Sequence, residues 1–345
     1  MAHPFVTSSH LLHRSFAQKP EMVIYASGVS LFLESGREVL DASAGPAVSC
    51  LGFGRPEIVQ VVTNQINQLA YLYSGARFTC DVTEDLASML LQGQPGGLSK
   101  ATFVNSGSEA TDAAIKLATQ YWFERGMPQK CHVIARKQSY HGNTTGALCV
   151  SGHDSRRTMY RPWLSQNEEI LRFGPEKVSA FVAETVSGTT LGCVPVVIGY
   201  WKAIRQMFDA IAEGTGGLTH GQSFQAHPVA YTAALEVQRI IRDERILTNV
   251  KKWAQCWSLF WAVEFVQDFQ NKTPFPASMR LCHRIVDKSL DLALNILGNL
   301  GQTGDVHVDH VIMSPPYVVT ESDLERMVGI LQTAIQVVVS KVVSI

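Results

Sequence analysis

The chain has 345 residues, 46% hydrophobic and 17% charged, which excludes global disorder and allows two lobes around shared cores. A formal net charge of −1 supplies no basic field for nucleic acid, and no apolar run reaches membrane-spanning length; patches such as Val194–Ile198 are strand-sized. The seven cysteines are scattered without a Cys-x-x-Cys pair, the pattern of reduced thiols in a cytoplasmic protein.

Met1–Pro20 carries Arg14 and Lys19 but no apolar stretch of the secretory kind, so it reads as a flexible leader before the first strand. Residues 28–41 (GVSLFLESGREVLD) predict a hairpin around a Glu-Ser-Gly-Arg turn, and the small residues of 44–56 predict a loop. A helix begins at Pro56, with Ile58, Val61, Val62, Ile66 and Leu69 at helical spacing, and a second covers 83–91. After a Gly/Pro breaker at 92–98, strands at 101–104, 131–135 and 178–183 alternate with helices at 109–123, 142–150 and 200–211. Such alternation implies parallel strands with helical crossovers, hence an α/β sheet. A long amphipathic helix spans 228–246. A strand at 257–266, a helix at 279–297, a short strand at 311–313 and a last helix capped by Thr320 then form an α+β lobe. The N-terminal segment is expected to pack on that lobe.

The strongest local signal is Asn105-Ser106-Gly107-Ser108-Glu109-Ala110, set between a predicted strand and a helix. Amide groups and the helix dipole converge there on a point suited to a phosphate; the plainer reading is a helix cap supplied by Ser108. Tyr140-His141-Gly142 follows the next strand, where an aromatic ring either stacks on a planar cofactor or sits in a surface turn. Glu184 ends the 178–183 strand on the same sheet edge, as a site residue or a capping acid. Residues 220–228 form a polar loop before a helix. His307 and His310 have a spacing that suggests a metal, but they fall in a predicted loop without a third ligand, so no metal is assigned. No Gly-x-Ser-x-Gly elbow occurs.

Taken in order, these segments resemble the class III pyridoxal-phosphate-dependent aminotransferases, of the ornithine and ω-amino-acid type. The resemblance rests on Leu40-Asp41-Ala42 with Ala44-Gly45, Leu51-Gly52-Phe53-Gly54, Phe103–Ala114, Tyr140-His141-Gly142, Phe181–Thr185, His220–Pro228, Phe260–Val266 and Ser314-Pro315-Pro316-Tyr317. It implies a large lobe with a mainly parallel sheet of the pyridoxal-phosphate transferase type, plus a smaller α+β lobe. It also implies pyridoxal 5'-phosphate as cofactor and amino transfer between an amine or ω-amino acid and an oxo acid. By position, Ser106, Gly107 and Ser108 would hold the phosphate, Tyr140 and His141 would lie at the pyridine ring, and Glu184 would line its edge. Ser223 stands where the family usually has Thr, a hydroxyl given to the phosphate across a homodimer interface.

The chain departs from that family at one place. The family's ring-nitrogen aspartate and Schiff-base lysine follow the segment matching Tyr200–Arg205 and precede the one matching Ala210–Gly217, and here those two segments are adjacent. Such a junction is too short for one strand–helix–strand crossover, so central strands of the sheet should be missing. The expected division is 1–56 as part of the small lobe, 57–250 as the cofactor domain with an internal deletion near 205–210, and 251–345 as the C-terminal domain. Two alternatives to a working aminotransferase are a catalytically inactive paralogue that serves as an interaction subunit, and a truncated gene model of an active enzyme.

Overall fold

The computed structural model describes residues 10–13, 19–73, 77–164, 175–188, 190, 194–195, 220–253, 259–303 and 306–343. The predicted helix over 200–211 and the junction at 205–210 lie outside the described residues.

The N-terminal part forms three antiparallel strands, β1 (Val23–Ser27), β2 (Ser30–Leu33) and β3 (Glu38–Asp41). The predicted hairpin is β2–β3, and Gly36, at φ +82°, supplies the left-handed turn position that a side chain would disfavour. Leu33, Val39 and Leu40 point inward and are at most 5% exposed. β1 is an additional edge strand whose Val23, Ile24 and Tyr25 remain exposed, with Tyr25 stacked on Phe32 at 4.3 Å. The loop over 44–56 contains one tight turn at Ala44–Ala47, where the φ angles of all four residues are positive.

Helices Pro56–Gln68 and Asp81–Leu90 pack against the later helix Pro228–Asp243, where Thr232 donates its hydroxyl to Gln65 Oε1 at 3.1 Å. The α/β part contributes helix Gly107–Glu124 and the parallel pair β4 (His132–Ala135) and β5 (Val178–Val182). A short antiparallel pair, β6 (Val186–Ser187) and β7 (Val194–Pro195), follows. Residues 101–104 form no strand, contrary to the sequence reading. The predicted helix at 142–150 shortens to Thr145–Cys149, since Thr144 caps it by accepting from the Ala147 N–H at 3.4 Å.

The C-terminal lobe holds β8 (Trp261–Asp268), β9 (Thr273–Pro274), β10 (Leu294–Asn295), β11 (Leu297–Thr303) and β12 (Val306–Met313). Four of them form an antiparallel sheet in the order β11–β12–β8–β9. β10 instead runs parallel to β3 and joins the N-terminal sheet. The helix predicted over 279–297 therefore stops at Asp291. Ala293 turns the chain at φ +69°, and the Leu40 N–H then donates to the Ala293 carbonyl at 2.9 Å. Fully buried Leu294 gains more from that sheet than from one more helical turn. Residues 307–310 belong to strand β12, not to a loop, and a strand gives an i, i+3 pair no common face for a metal.

Helices Leu281–Asp291 and Glu321–Val343 cover this lobe. Its core joins Leu281, Ile285, Val311 and Met327 to Leu40 and Ala42 of the N-terminal part. Thr320 and Asp323 close a capping box, each side chain accepting from the other's N–H, at 3.2 and 3.1 Å.

Candidate cofactor site

The 18-residue helix Gly107–Glu124 opens with a side-chain cap at each side of its first turn. Ser106 accepts from the Glu109 N–H at 3.2 Å, and Glu109 accepts from the Asn105 N–H at 2.7 Å. The cap is thus Ser106, not Ser108. Ser108 is free for another contact, and its hydroxyl accepts the Asn143 N–H at 2.9 Å.

That bond docks the Tyr140–Asn143 turn on the start of the helix. Thr111 fastens it from the next turn, donating to the His141 carbonyl at 2.6 Å. Gly142 sits at the contact with φ +133°, and a Cβ placed there would meet Ser108 Cα and Oγ, each at 2.7 Å. Only glycine lets the two backbones approach this closely. The phosphate-type turn and the aromatic turn, 30 residues apart, are thereby one structure.

Glu184 closes the third side. Its carboxylate accepts the Tyr140 N–H at 3.3 Å and the Ser187 hydroxyl at 3.4 Å. Arg136, following β4, donates to the Glu184 carbonyl at 3.0 Å, while its distance to the carboxylate is 3.9 Å. Burial pushes the Glu184 carboxyl above its usual range, opposed by the Tyr140 and Gly188 N–H groups and by Arg136. The Tyr140 ring meets the His153 ring edge-on at 6.0 Å and carries the Arg156 guanidinium at 4.9 Å.

Burial drives both neighbouring histidines down to about 4, assisted by Arg136 at His141 and by Arg156 at His153. Each is neutral when folded and protonates near 6.5 when unfolded. The unfolded state therefore binds more protons between about pH 6.5 and 4. Glu184, with its pKa raised, acts in the opposite sense, but it is one group against two. Thermal midpoints should fall as pH drops from about 6.5 toward 4, and His141→Gln with His153→Gln should reduce that slope, the part left coming from His283 and His310, whose pKa values burial also lowers.

Ser223 is the predicted residue that this assembly does not include. It is exposed on the turn before helix Pro228–Asp243, and its carbonyl accepts from Tyr71 at 2.8 Å. Phe224 and His227 stack beside it with ring centroids 5.5 Å apart. Asn143, Thr111 and Arg136 are site residues that the sequence reading missed; only Asn143 had a signal, as the residue following the Tyr-His-Gly turn.

The residues present fit the phosphate and ring of pyridoxal phosphate. Gly107 and Ser108 offer first-turn amides, Tyr140 offers a ring, and the buried His141 Nε2 and Asp112 Oδ1 lack a hydrogen-bond partner. Among the described lysines, Lys130 lies on Trp122, Lys252 on Trp253 and Lys288 by Asp291.

A family model described as class III aminotransferase matches residues 15–210. The chain belongs to the class III aminotransferases. Members of this family depend on pyridoxal phosphate and move an amino group between an amine and an oxo acid. An uncharacterized aminotransferase of Schizosaccharomyces pombe is 29% identical over 436 positions, covering 95% of both chains. A putrescine–pyruvate aminotransferase of Pseudomonas aeruginosa is 27% identical over 67% of this chain and 69% of its own. A structure of the aminotransferase from Vibrio fluvialis with bound PMP shares the fold, with TM-score 0.84, 20% identity and 97% coverage of each chain.

An alignment of 436 positions cannot be filled by 345 residues, so the S. pombe protein carries dozens of positions that this aminotransferase lacks. The family match ends at Ala210.

Proposed function

We propose that this class III aminotransferase holds pyridoxal phosphate by its phosphate and ring, without a covalent bond to lysine. The observation that carries the reading is the docking of the Tyr140–Asn143 turn on the first turn of helix Gly107–Glu124, with Glu184 behind it. In this reading Ser106, Gly107 and Ser108 surround the phosphate, Tyr140 and His141 lie at the ring, and Glu184 fixes the Tyr140 backbone. When bound, the cofactor supplies an electron sink for the amino-acid carbon. The chain's own residues bind and orient it and keep water from one side.

We further propose a homodimer in which exposed Ser223 reaches the partner's phosphate site, and a cytoplasmic setting. The five described cysteines are free, and no described helix is long and apolar enough to cross a membrane. The division into 1–56, 57–250 and 251–345 is supported by the pairing of β10 with β3, which ties the first segment to the last. A second reading is a non-catalytic subunit or the product of a truncated gene model, and the comparisons do not favour it over the aminotransferase reading. Sequencing transcript and genomic DNA around the codons for Arg205–Ala210 separates those two origins.

Titration with pyridoxal phosphate, followed by cofactor absorbance, tests the cradle. Ser108→Ala and Tyr140→Ala should each weaken binding about tenfold, the size of a lost charge-assisted hydrogen bond or ring contact. Unchanged affinity in both would remove the phosphate and ring from this site.

A further inference from the structure

The loop before helix Pro228–Asp243 is held from three sides. Tyr71, beyond helix Pro56–Gln68, donates its hydroxyl to the Ser223 carbonyl at 2.8 Å, across 152 residues of chain. Gln225 donates to the Thr102 hydroxyl at 3.2 Å, and the Ala226 N–H donates to the Tyr231 hydroxyl at 2.7 Å. The Tyr71 ring also meets Phe224 at 5.6 Å and His227 at 5.9 Å. One side chain thus fixes the Ser223–Phe224 peptide and packs on the two rings that follow it.

This support is directed outward. Ser223 is exposed, and Tyr71 and Phe224 leave 45% and 57% of their surface open to solvent. Among the described residues, both ring nitrogens of His220, Gln222 Oε1 and His227 Nδ1 are buried without a hydrogen-bond partner. Exposed rings beside unsatisfied polar atoms mark a surface that another molecule completes. A role in core packing would bury the Tyr71 ring and would not need its hydroxyl. An exposed hydrogen bond adds little to stability, so the main consequence of this one is a fixed backbone at Ser223. Ordering a loop residue at the moment of binding weakens affinity, and ordering it beforehand removes that loss.

We propose that Tyr71 is a positioning residue that holds Ser223 ready to bond the cofactor phosphate across the homodimer interface. The inference rests on the reading of Ser223 as the hydroxyl given to the partner's phosphate site. No sequence motif marks Tyr71 for this role; its hydroxyl on the Ser223 carbonyl does.

The test compares pyridoxal phosphate with pyridoxal, which keeps the ring and lacks the phosphate, by absorbance titration of the full chain. Thermal midpoints are measured on the same samples. Ser223→Ala should weaken pyridoxal phosphate about tenfold, and Tyr71→Phe, which removes only the hydroxyl, about fivefold. Neither should change pyridoxal affinity. The double variant should bind like Ser223→Ala alone, because Tyr71 acts through Ser223. A Tyr71→Phe chain with a lowered midpoint and both affinities at wild-type values would make the hydroxyl purely structural and overturn the proposal. Equal losses for pyridoxal and pyridoxal phosphate would overturn it too, by showing a cradle deformed as a whole. A double variant weakened by the product of the two single effects would overturn it by placing the action of Tyr71 elsewhere. If Ser223→Ala itself leaves pyridoxal phosphate affinity unchanged, the reading of Ser223 fails and the proposal falls with it. If Ser223→Ala weakens binding and Tyr71→Phe does not, that reading stands and the proposal alone fails.

Discussion

Purified 345-residue chain supplied with pyridoxal phosphate, an amine and an oxo acid should show no transamination above that of the free cofactor. Proton removal from the substrate carbon needs a positioned base, an effect worth roughly 10²–10⁴-fold. By the resemblance, that base is the lysine of a segment expected between Arg205 and Ala210, and the sequence reading matches no lysine of this chain to it. The aspartate that holds the ring nitrogen protonated belongs to the same segment. The two losses act on one transition state and need not add. Inserting the corresponding segment of a relative between Arg205 and Ala210 should restore turnover, which Ser108→Ala or Tyr140→Ala should then lower. Turnover by the unmodified chain that Tyr140→Ala abolishes would show that another residue moves the proton.

A large effect of a single substitution on the cofactor cradle is expected at Gly142. An alanine Cβ would lie 2.7 Å from Ser108 Cα and 2.9 Å from Ala147 Cβ. Ser108 Cα is backbone at the first turn of a helix, so it cannot yield by changing a rotamer. Overpacking of this kind typically costs about 1–3 kcal/mol, and the unfavourable φ adds strain of order 1–3 kcal/mol. Gly142→Ala should therefore separate the Tyr140 turn from helix Gly107–Glu124, lower the thermal midpoint and weaken pyridoxal phosphate by more than about tenfold. Cofactor affinity equal to wild type, measured by absorbance titration, would show that the two turns do not form one cradle.

The parts of this site that the sequence reveals are those built from neighbouring residues. Asn105–Ala110 and Tyr140–Gly142 each follow an apolar run and precede a helical pattern; parallel pairing of β4 with β5 brings the Tyr140 turn to Glu184, whereas the Asn105 turn joins them with no strand at 101–104. Contacts between distant residues leave no such trace: Thr111 bonds His141 and Arg136 bonds Glu184 because the folded chain brings them together. The sequence reading puts the cap at Ser108; the Glu109 N–H, bonded to Ser106, moves it to Ser106 and leaves Ser108 to the Asn143 N–H. In the C-terminal lobe, helical periodicity runs on past Asp291, but pairing of Leu294 with Leu40 ends the helix. Residues 101–104 show the converse, a strand-like sequence that forms no strand.

The central claim is that the cofactor is held by the cradle of Ser106–Ser108, Tyr140 and Glu184 and by no lysine. Borohydride reduction of the chain saturated with pyridoxal phosphate, followed by peptide mapping, tests it most directly. The account predicts saturable binding that Tyr140→Ala weakens, with no stoichiometric cofactor adduct on any of the chain's lysines. A stoichiometric adduct on one buried lysine would contradict it.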